Sequence, residues 1–516
     1  MKKADDWPEP GSDAERAAYA ELCRTIPVLF RVLSADRRAP QCVVVVPSLS
    51  LDPRELEKIS GVYHYEERML VNLMLLRQPR TKLVYITSQP LHPIIVNYYL
   101  SLLPGVPASH ATGRLVMLDC NDRSSLPLSL KILRRPRLMA RIRKELEGFP
   151  FAHMTCFNST GYERTLAVRL GLPLYSTDPE LMHLGSKSGC RRVFREAGVD
   201  FPFGCEDLYT PDEIASALAE VRRHDPAVRL AVVKLNHGFS GEGNALFSYD
   251  GLGDGGDLVS QIRARLPSAL RYEAMTETWD SYAAKFRDMG GVVETFVGAA
   301  GRRSPSVQCR VNAIGEAQVI STHDQLLGGV SGQVFLGCTF PASSAYRLEI
   351  QQIGARVAEV LARRGVIGRF GIDLVSIPVG GAWRHYAIEI NLRKGGTTHP
   401  FLTLKFLTSG RLNCTDGLFY SSSGRAKYYY ASDTIQSDRY LGLLPEDLID
   451  LVVYHGLHFH GPTERGVVFH LIGALSEFGK LGLVSIGDSQ EEAEEIHRRT
   501  LKTLDEETAH DTATFV

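Results

Sequence analysis

Between about residues 42 and 160, short β-branched runs alternate with helical stretches, and this alternation restricts the fold more than any other feature of the chain. Cys42–Val46, Leu83–Thr87, Leu115–Leu118 and Phe151–Phe157 read as strands buried on both faces. Between them, Glu55–Leu76, Pro93–Leu103 and Leu128–Leu146 carry apolar residues at helical spacing. Strands covered on both sides by connecting helices pair in parallel. Ligands of such sheets sit beyond the strand carboxyl ends, where Ser48, Ser88 and Ser159 fall. The same serines also fit as helix N-caps.

The texture changes near 175–185. From there to about 410 the pattern is one of hairpins joined by helices, which predicts α+β lobes. The last stretch, 411–516, shows strands near 425–431 and 466–472 and helices near 444–455 and 489–505. A chain of 516 residues has room for about three domains. Its net charge of −1 gives no field that would gather nucleic acid or an anionic membrane, so any phosphate binding must be local. The 9 cysteines are scattered without a CxxC, which points to free thiols in a reducing, cytoplasmic setting. Met1–Glu15 has no apolar core of the kind a signal peptide carries, and no run of about 18 apolar residues predicts a membrane span.

Three segments carry chemistry. In Leu230–Phe247 a strand ends at Lys234 and runs into a glycine-rich loop with Gly238, Ser240, Gly241 and Gly243. Such a loop lets backbone N–H groups fold over an anion, although a plain hairpin loop has the same composition. In Ser306–Gln325, the residues Gln308, Arg310 and Asn312 alternate on one strand face. A guanidinium there needs an anion, and either a structural carboxylate or a phosphate would serve. The third segment is Arg369–Pro400, RFGIDLVSIPVGGAWRHYAIEINLRKGGTTHP. Two strands flank a Pro-Val-Gly-Gly turn, and a turn centred on Gly381 sets Asp373 opposite Glu389, with Asn391 on the same face. Two opposed carboxylates repel unless they share a proton or a cation. The all-oxygen set of two acids and an amide selects a hard ion, Mg²⁺. Arg393, Lys394 and the loop Gly395–Thr398 follow at once and bring cations and amide N–H groups beside it.

The Asp373 strand followed by Glu389-Ile390-Asn391 resembles the ATP-grasp superfamily. The longer strings EINLRKGGTTHP, STHDQLLGG, GSKSGCRRVF, HYEERMLVNLMLLRQP and GVVFHLIGALSEFGKLGLVSIG resemble more closely its peptide ligases of the pheganomycin biosynthetic type, over most of residues 40–500. The resemblance implies a Rossmann-like parallel-sheet pre-ATP-grasp domain (1–180), a two-lobed ATP-grasp domain (181–410) and a small α+β C-terminal domain (411–516). It implies Lys187 as the first nucleotide-binding lysine, Lys234 as the second, and Gly238–Gly243 as the lid over the triphosphate. Glu294 resembles the hinge acid, with the backbone of Thr295, Phe296 and Val297 reading the adenine edge. Arg310 and Arg393 resemble the arginines that meet the transferring phosphoryl group. The usual ribose-binding acid is absent from Gly298–Ser304, and Gln308 or Gln325 takes its place.

The function so implied is ATP-dependent, Mg²⁺-assisted joining of a small-molecule carboxylate and an amine, amino acid or peptide, through an acyl phosphate. A homodimer is the common assembly. His323 and His399 are candidates for the base that deprotonates the amine, and ordinary hydrogen-bonded histidines are the competing account. Two other functions share these residues: a phosphotransferase on the same fold, and a nucleotide-binding protein without catalysis.

Overall fold

The computed structural model describes residues 7–51, 53–238, 243–252, 257–274, 277–328 and 334–511. Among these residues the strands form three sheets. The first is parallel, of β1 (Gln41–Val46), β2 (Thr81–Thr87), β3 (Leu115–Asp119) and β4 (Phe151–Cys156), in the order β3-β2-β1-β4. Every residue of β1 is buried, as expected of a strand covered by helices on both faces. The expected single helix over Leu128–Leu146 is two, Leu128–Leu133 and Pro136–Leu146, because Pro136 cannot donate to the preceding turn. The stretch expected as one helix over Glu55–Leu76 is a short turn of helix, Pro53–Glu57, followed by a 3₁₀ segment, Val62–Arg77.

The second sheet is antiparallel, of β5 (Gly204–Leu208), β6 (Leu230–Leu235), β7 (Asn244–Ser248), β8 (Leu270–Tyr272) and β9 (Gly291–Thr295), in the order β5-β9-β6-β7-β8. Its inner face packs Val233, Phe247 and Val293 against Ile214, Leu218, Tyr282 and Phe286 of the helices Pro211–His224 and Trp279–Met289.

The third sheet has ten strands. It runs from β10 (Pro305–Val311), β11 (Ala317–Gly328), β12 (Val334–Phe340), β13 (Gly368–Val379) and β14 (Ala382–Asn391) into β15 (Arg411–Asn413), β16 (Leu418–Tyr420), β17 (Ala426–Gln436), β18 (Gly466–His470) and β19 (Lys480–Gly487). It crosses the boundary expected near 410, because β12 pairs β17 from Gly337↔Ser432 to Phe340↔Tyr429. The core follows the sheet. Phe340 and Phe401 join Tyr429, Phe469 and Leu483 from the C-terminal stretch, and Val43, Leu70 and Tyr85 from the parallel-sheet side, in one apolar cluster. That shared core holds the parallel sheet and the ten-stranded sheet against one another.

The hairpin β13–β14 places the acids, in two steps. The turn is the pair Gly380–Gly381, both at positive φ (59° and 87°), between Val379 and Ala382. Only glycine adopts that pair of conformations cheaply. Regular pairing from this turn would set Asp373 opposite Ile388. A bulge between Asp373 and Leu374 in the pairing makes the partner Glu389.

Candidate active site

Asp373 and Glu389 sit opposite one another on β13 and β14. Asn391 is paired with Gly371, two residues further along the same face. The next strand, β10, sets Ser306 beside Asp373 and Gln308 beside Gly371. Gly371 has no side chain, so this face is hollow between Gln308 and Asn391. The Asp373 carboxylate accepts from Gln325 Nε2 at 2.6 Å and from Asn391 Nδ2 at 2.8 Å. Lys187, the first residue of the helix Lys187–Ala197, reaches Glu389 Oε2 at 2.6 Å.

The two acids respond differently to the same surroundings. Burial, and then the neighbouring Glu389, push the Asp373 carboxyl up to about 7. Burial pushes Glu389 upward too, but Lys187 and Arg393 outweigh it and hold Glu389 below the ordinary carboxylate range. One acid is thus held ionised by a lysine while its partner keeps a proton near neutrality, as expected of like charges brought face to face.

These residues fit a hard divalent cation. Two carboxylates and an amide whose carbonyl oxygen can serve as a ligand make an oxygen-donor set suited to Mg²⁺. Among the described residues no group of three or more His, Cys, Asp or Glu side chains is gathered elsewhere to compete for a metal.

Two cavities meet at this centre. One, of about 350 Å³, is lined by Lys187, Gln308, Gln325, Asp373, Glu389, Asn391 and Arg393, and extends to Tyr65, Arg68 and Asp433. The other, of about 550 Å³, shares Lys187, Gly238, Gly243, Glu389, Asn391 and Arg393 and extends past Asn158, Ser159 and Lys285. Arg393 is aimed by its neighbour. Lys394 donates from Nζ to the Cys156 carbonyl and from its backbone N–H to the Phe157 carbonyl, which ties the loop after β14 to the end of β4.

The structure therefore brings together Lys187, Gly238, Gly243, Gln325, Asp373, Glu389, Asn391 and Arg393. Ser240 and Gly241 lie outside the described residues. Other expected members are placed differently. Lys234 is spent on Glu294 at 2.5 Å, and Glu294 also accepts from Arg191 at 2.8 Å, so this acid is a buried structural hub. The hinge N–H groups of Thr295 and Phe296 already donate to the carbonyls of Phe203 and Leu230. Arg310 lines neither cavity; it donates to Gln318 at 3.3 Å and shares its surroundings with Arg369 and Lys405. Its place on β10 is two residues beyond Gln308, away from Asp373.

The histidine candidates do not reach the centre. His323 is fully buried against Tyr429, 2.6 Å from its hydroxyl, and burial lowers its pKa to about 3. His399 pairs with His470 at 3.0 Å, and burial likewise holds it well below the ordinary range. The three serines are not helix N-caps of the strands they follow. Ser88 bridges Glu66 and Lys131, and Ser48 bonds Ser50 and accepts from the Ser129 N–H. Ser159 has a buried hydroxyl without a partner among the described residues, while the cap of the following helix is Thr160. The residues that sequence reasoning passed over, Tyr65, Arg68 and Asp433, come from outside the three segments that carry chemistry, although Tyr65 lies in the quoted string HYEERMLVNLMLLRQP. Arg68 lies inside the same string, with nothing in its spacing to single it out.

A family model described as "IQCH-like, ATP-grasp" matches residues 179–252 and 258–415, which contain the five-stranded sheet and the acid hairpin. Over these residues the chain matches the ATP-grasp family. A second model, "PGM1 C-terminal domain", matches residues 447–500. The L-propargylglycine--L-glutamate ligase of Streptantibioticus cattleyicolor is 29% identical over 461 residues, covering 87% of this chain and 91% of that protein. IQ motif-containing protein H of Danio rerio is 25% identical over 422 residues, covering 73% of this chain but only 40% of that protein. Two solved structures share the fold. The biotin carboxylase of Campylobacter jejuni, solved as a β,γ-ATP complex, has a TM-score of 0.52 at 11% identity, with 89% of each chain covered. The biotin carboxylase domain of Hydrogenobacter thermophilus 2-oxoglutarate carboxylase, solved with MgADP and bicarbonate, has a TM-score of 0.53 at 12% identity, covering 90% of this chain and 89% of that one.

The raised Asp373 has a measurable consequence. Its ordinary value is 3.8 and its folded value about 7, so the folded state binds this proton more tightly than the unfolded state does. The stability it contributes is present on the acid side and is lost as pH rises from about 4 to about 7. In EDTA, the thermal midpoint of Asp373→Asn should gain on that of the wild type across this window. A difference between the two that is flat with pH would show that Asp373 is not perturbed.

Proposed function

We propose that this chain uses ATP and Mg²⁺ to activate a carboxylate as its acyl phosphate and joins it to an amine, with an amino acid on one side and an amino acid or peptide on the other. The observation that carries the reading is the single face on which Asp373, Glu389 and Asn391 meet Lys187 and Arg393 inside a cavity between sheets. The ligase activity printed in the name of the Streptantibioticus relative supports the same class of reaction.

A carboxylate is a poor electrophile at neutral pH. Transfer of the γ-phosphoryl group from ATP to a carboxylate oxygen releases ADP. Attack of the amine on the acyl carbon then expels phosphate, and the nitrogen gives up a proton. The first step asks the protein for position and charge neutralisation more than for covalent help. Mg²⁺ held by Asp373, Glu389 and Asn391 would neutralise charge on the β- and γ-phosphate oxygens. Lys187 orients Glu389 and adds a positive charge. Arg393, common to both cavities, lies where charge on the transferring group can be met. A reducing, cytoplasmic setting belongs to this reading and is supported by 9 cysteines that are all free in the structure.

The test is a screen of amino-acid and dipeptide mixtures with ATP and Mg²⁺, reading phosphate release and new masses. Phosphate release coupled to a condensation product is expected. A stable phosphorylated product with no amide would replace this reading with a phosphotransferase.

A further inference from the structure

Resting on the ligase reading, we propose that Arg68 receives the unreacted carboxylate of the amine-donating amino acid, with Asp433 as its counter-ion until that carboxylate arrives. An amino acid that attacks through nitrogen carries its own carboxylate into the site. That group must be kept from phosphoryl transfer and anchored so that the nitrogen is aimed. It needs a cation other than Arg393.

Arg68 is placed for this. It lies in the segment Val62–Arg77, while Asp433 is on β17, 365 residues away, and both line the cavity that holds Asp373 and Arg393. The two side chains are each 9% exposed, and they touch through one hydrogen bond of 3.2 Å from a terminal guanidinium nitrogen to Oδ2. A guanidinium has five N–H donors. Here the Nε–H is buried and has no acceptor among the described residues. A bridge serving only to join two segments would be expected to saturate its donors, since an unmet buried donor destabilises the fold. The guanidinium carbon is 4.5 Å from the ring centre of Tyr65 and 4.9 Å from that of Phe157, so two aromatic faces fix it. A planar fork held rigidly on a cavity wall matches a carboxylate in two-point contact.

The experiment uses the full chain with ATP, Mg²⁺ and a pool of the twenty standard L-amino acids as carboxylate donors. Amine donors are offered in competition: the same amino acids against their carboxamides at equal concentration, and hydroxylamine separately, which traps the acyl phosphate as a hydroxamate. Wild type should form hydroxamate and prefer free acids over carboxamides as amine donors by about a hundredfold or more. The double variant Arg68→Gln/Asp433→Asn removes both charges together and so leaves no buried ion unpaired. Its acid-over-amide preference should fall to within about tenfold, and its rate with amino acids should drop far more than its rate with hydroxylamine. Arg68→Lys should recover part of the preference. Hydroxamate formation by a wild type that does not discriminate would overturn the assignment. So would a double variant that keeps the full preference, or one that loses both amines equally. If wild type forms no hydroxamate at all, the ligase reading fails and the assignment falls with it.

Discussion

Asp373→Asn and Glu389→Gln are both expected to reduce ATP consumption by about 10²–10³-fold or more, yet to move thermal stability in different directions. On the proposed metal set, the activity loss follows from removing one of two charged oxygen ligands, on the scale of a lost electrostatic contact. The stability difference follows from what each acid leaves behind. Asp373 is pushed up to about 7, first by burial and then by Glu389, so a neutral amide relieves a cost at pH 7.5 and the thermal midpoint should hold or rise. Glu389 is the partner of Lys187, whose side chain is only 11% exposed. Glu389→Gln strands that ammonium, and stability should fall. Breaking a buried pair costs about 3–5 kcal/mol, and the 29% exposure of Glu389 places this case toward or below the lower end. Phosphate release and thermal melts on the two variants check both halves. Near-native turnover in either variant would remove it from the metal set, and equal melts would remove Lys187 from the argument.

Arg393→Ala should lower kcat by about a hundredfold, equivalent to about 3 kcal/mol of transition-state stabilisation, with a small effect on KM for ATP. Arg310→Ala should leave kcat near wild type. The two arginines begin as equals by resemblance, and the structure separates them. Arg393 lines both cavities and is steered there by the ties of Lys394 to β4, whereas Arg310 faces Gln318 outside them. Steady-state kinetics on the pair decides the matter. A loss confined to KM in Arg393→Ala, or a large kcat loss in Arg310→Ala, would reverse the assignment.

Much of this was legible in the residues because the governing physics is local. A run such as Cys42–Val46 has one stable use, a strand covered on both faces, and it is found there. The opposition of Asp373 and Glu389 was legible from the Gly-Gly turn, but for an incomplete reason. The turn alone would pair Asp373 with Ile388, and a bulge supplies the missing residue. Bulges depend on how a strand meets its neighbours, which spacing does not encode. Other features depend on partners distant in sequence. The continuation of the large sheet through β17 needs the pairing of Gly337 with Ser432. His323 is a candidate base by sequence, but Tyr429 and Phe340 enclose it. The hinge amides of Thr295 and Phe296 are spent on Phe203 and Leu230, which no reading of their own segment would reveal. Arg68 and Asp433 meet across 365 residues, so the cavity wall they form cannot be read from either string.

The central claim is that Asp373, Glu389 and Asn391 together hold a divalent cation under the nucleotide phosphates. Crystals grown with Mn²⁺ in place of Mg²⁺ and a non-hydrolysable ATP analogue, measured at the manganese absorption edge, locate that ion directly. The predicted result is an anomalous peak at about 2.0–2.3 Å from a carboxylate oxygen of Asp373, one of Glu389 and the Asn391 carbonyl oxygen, bridged to the phosphates. An ordered analogue whose metal lies elsewhere, with Asp373 still bonded to Asn391 and Gln325, would contradict it.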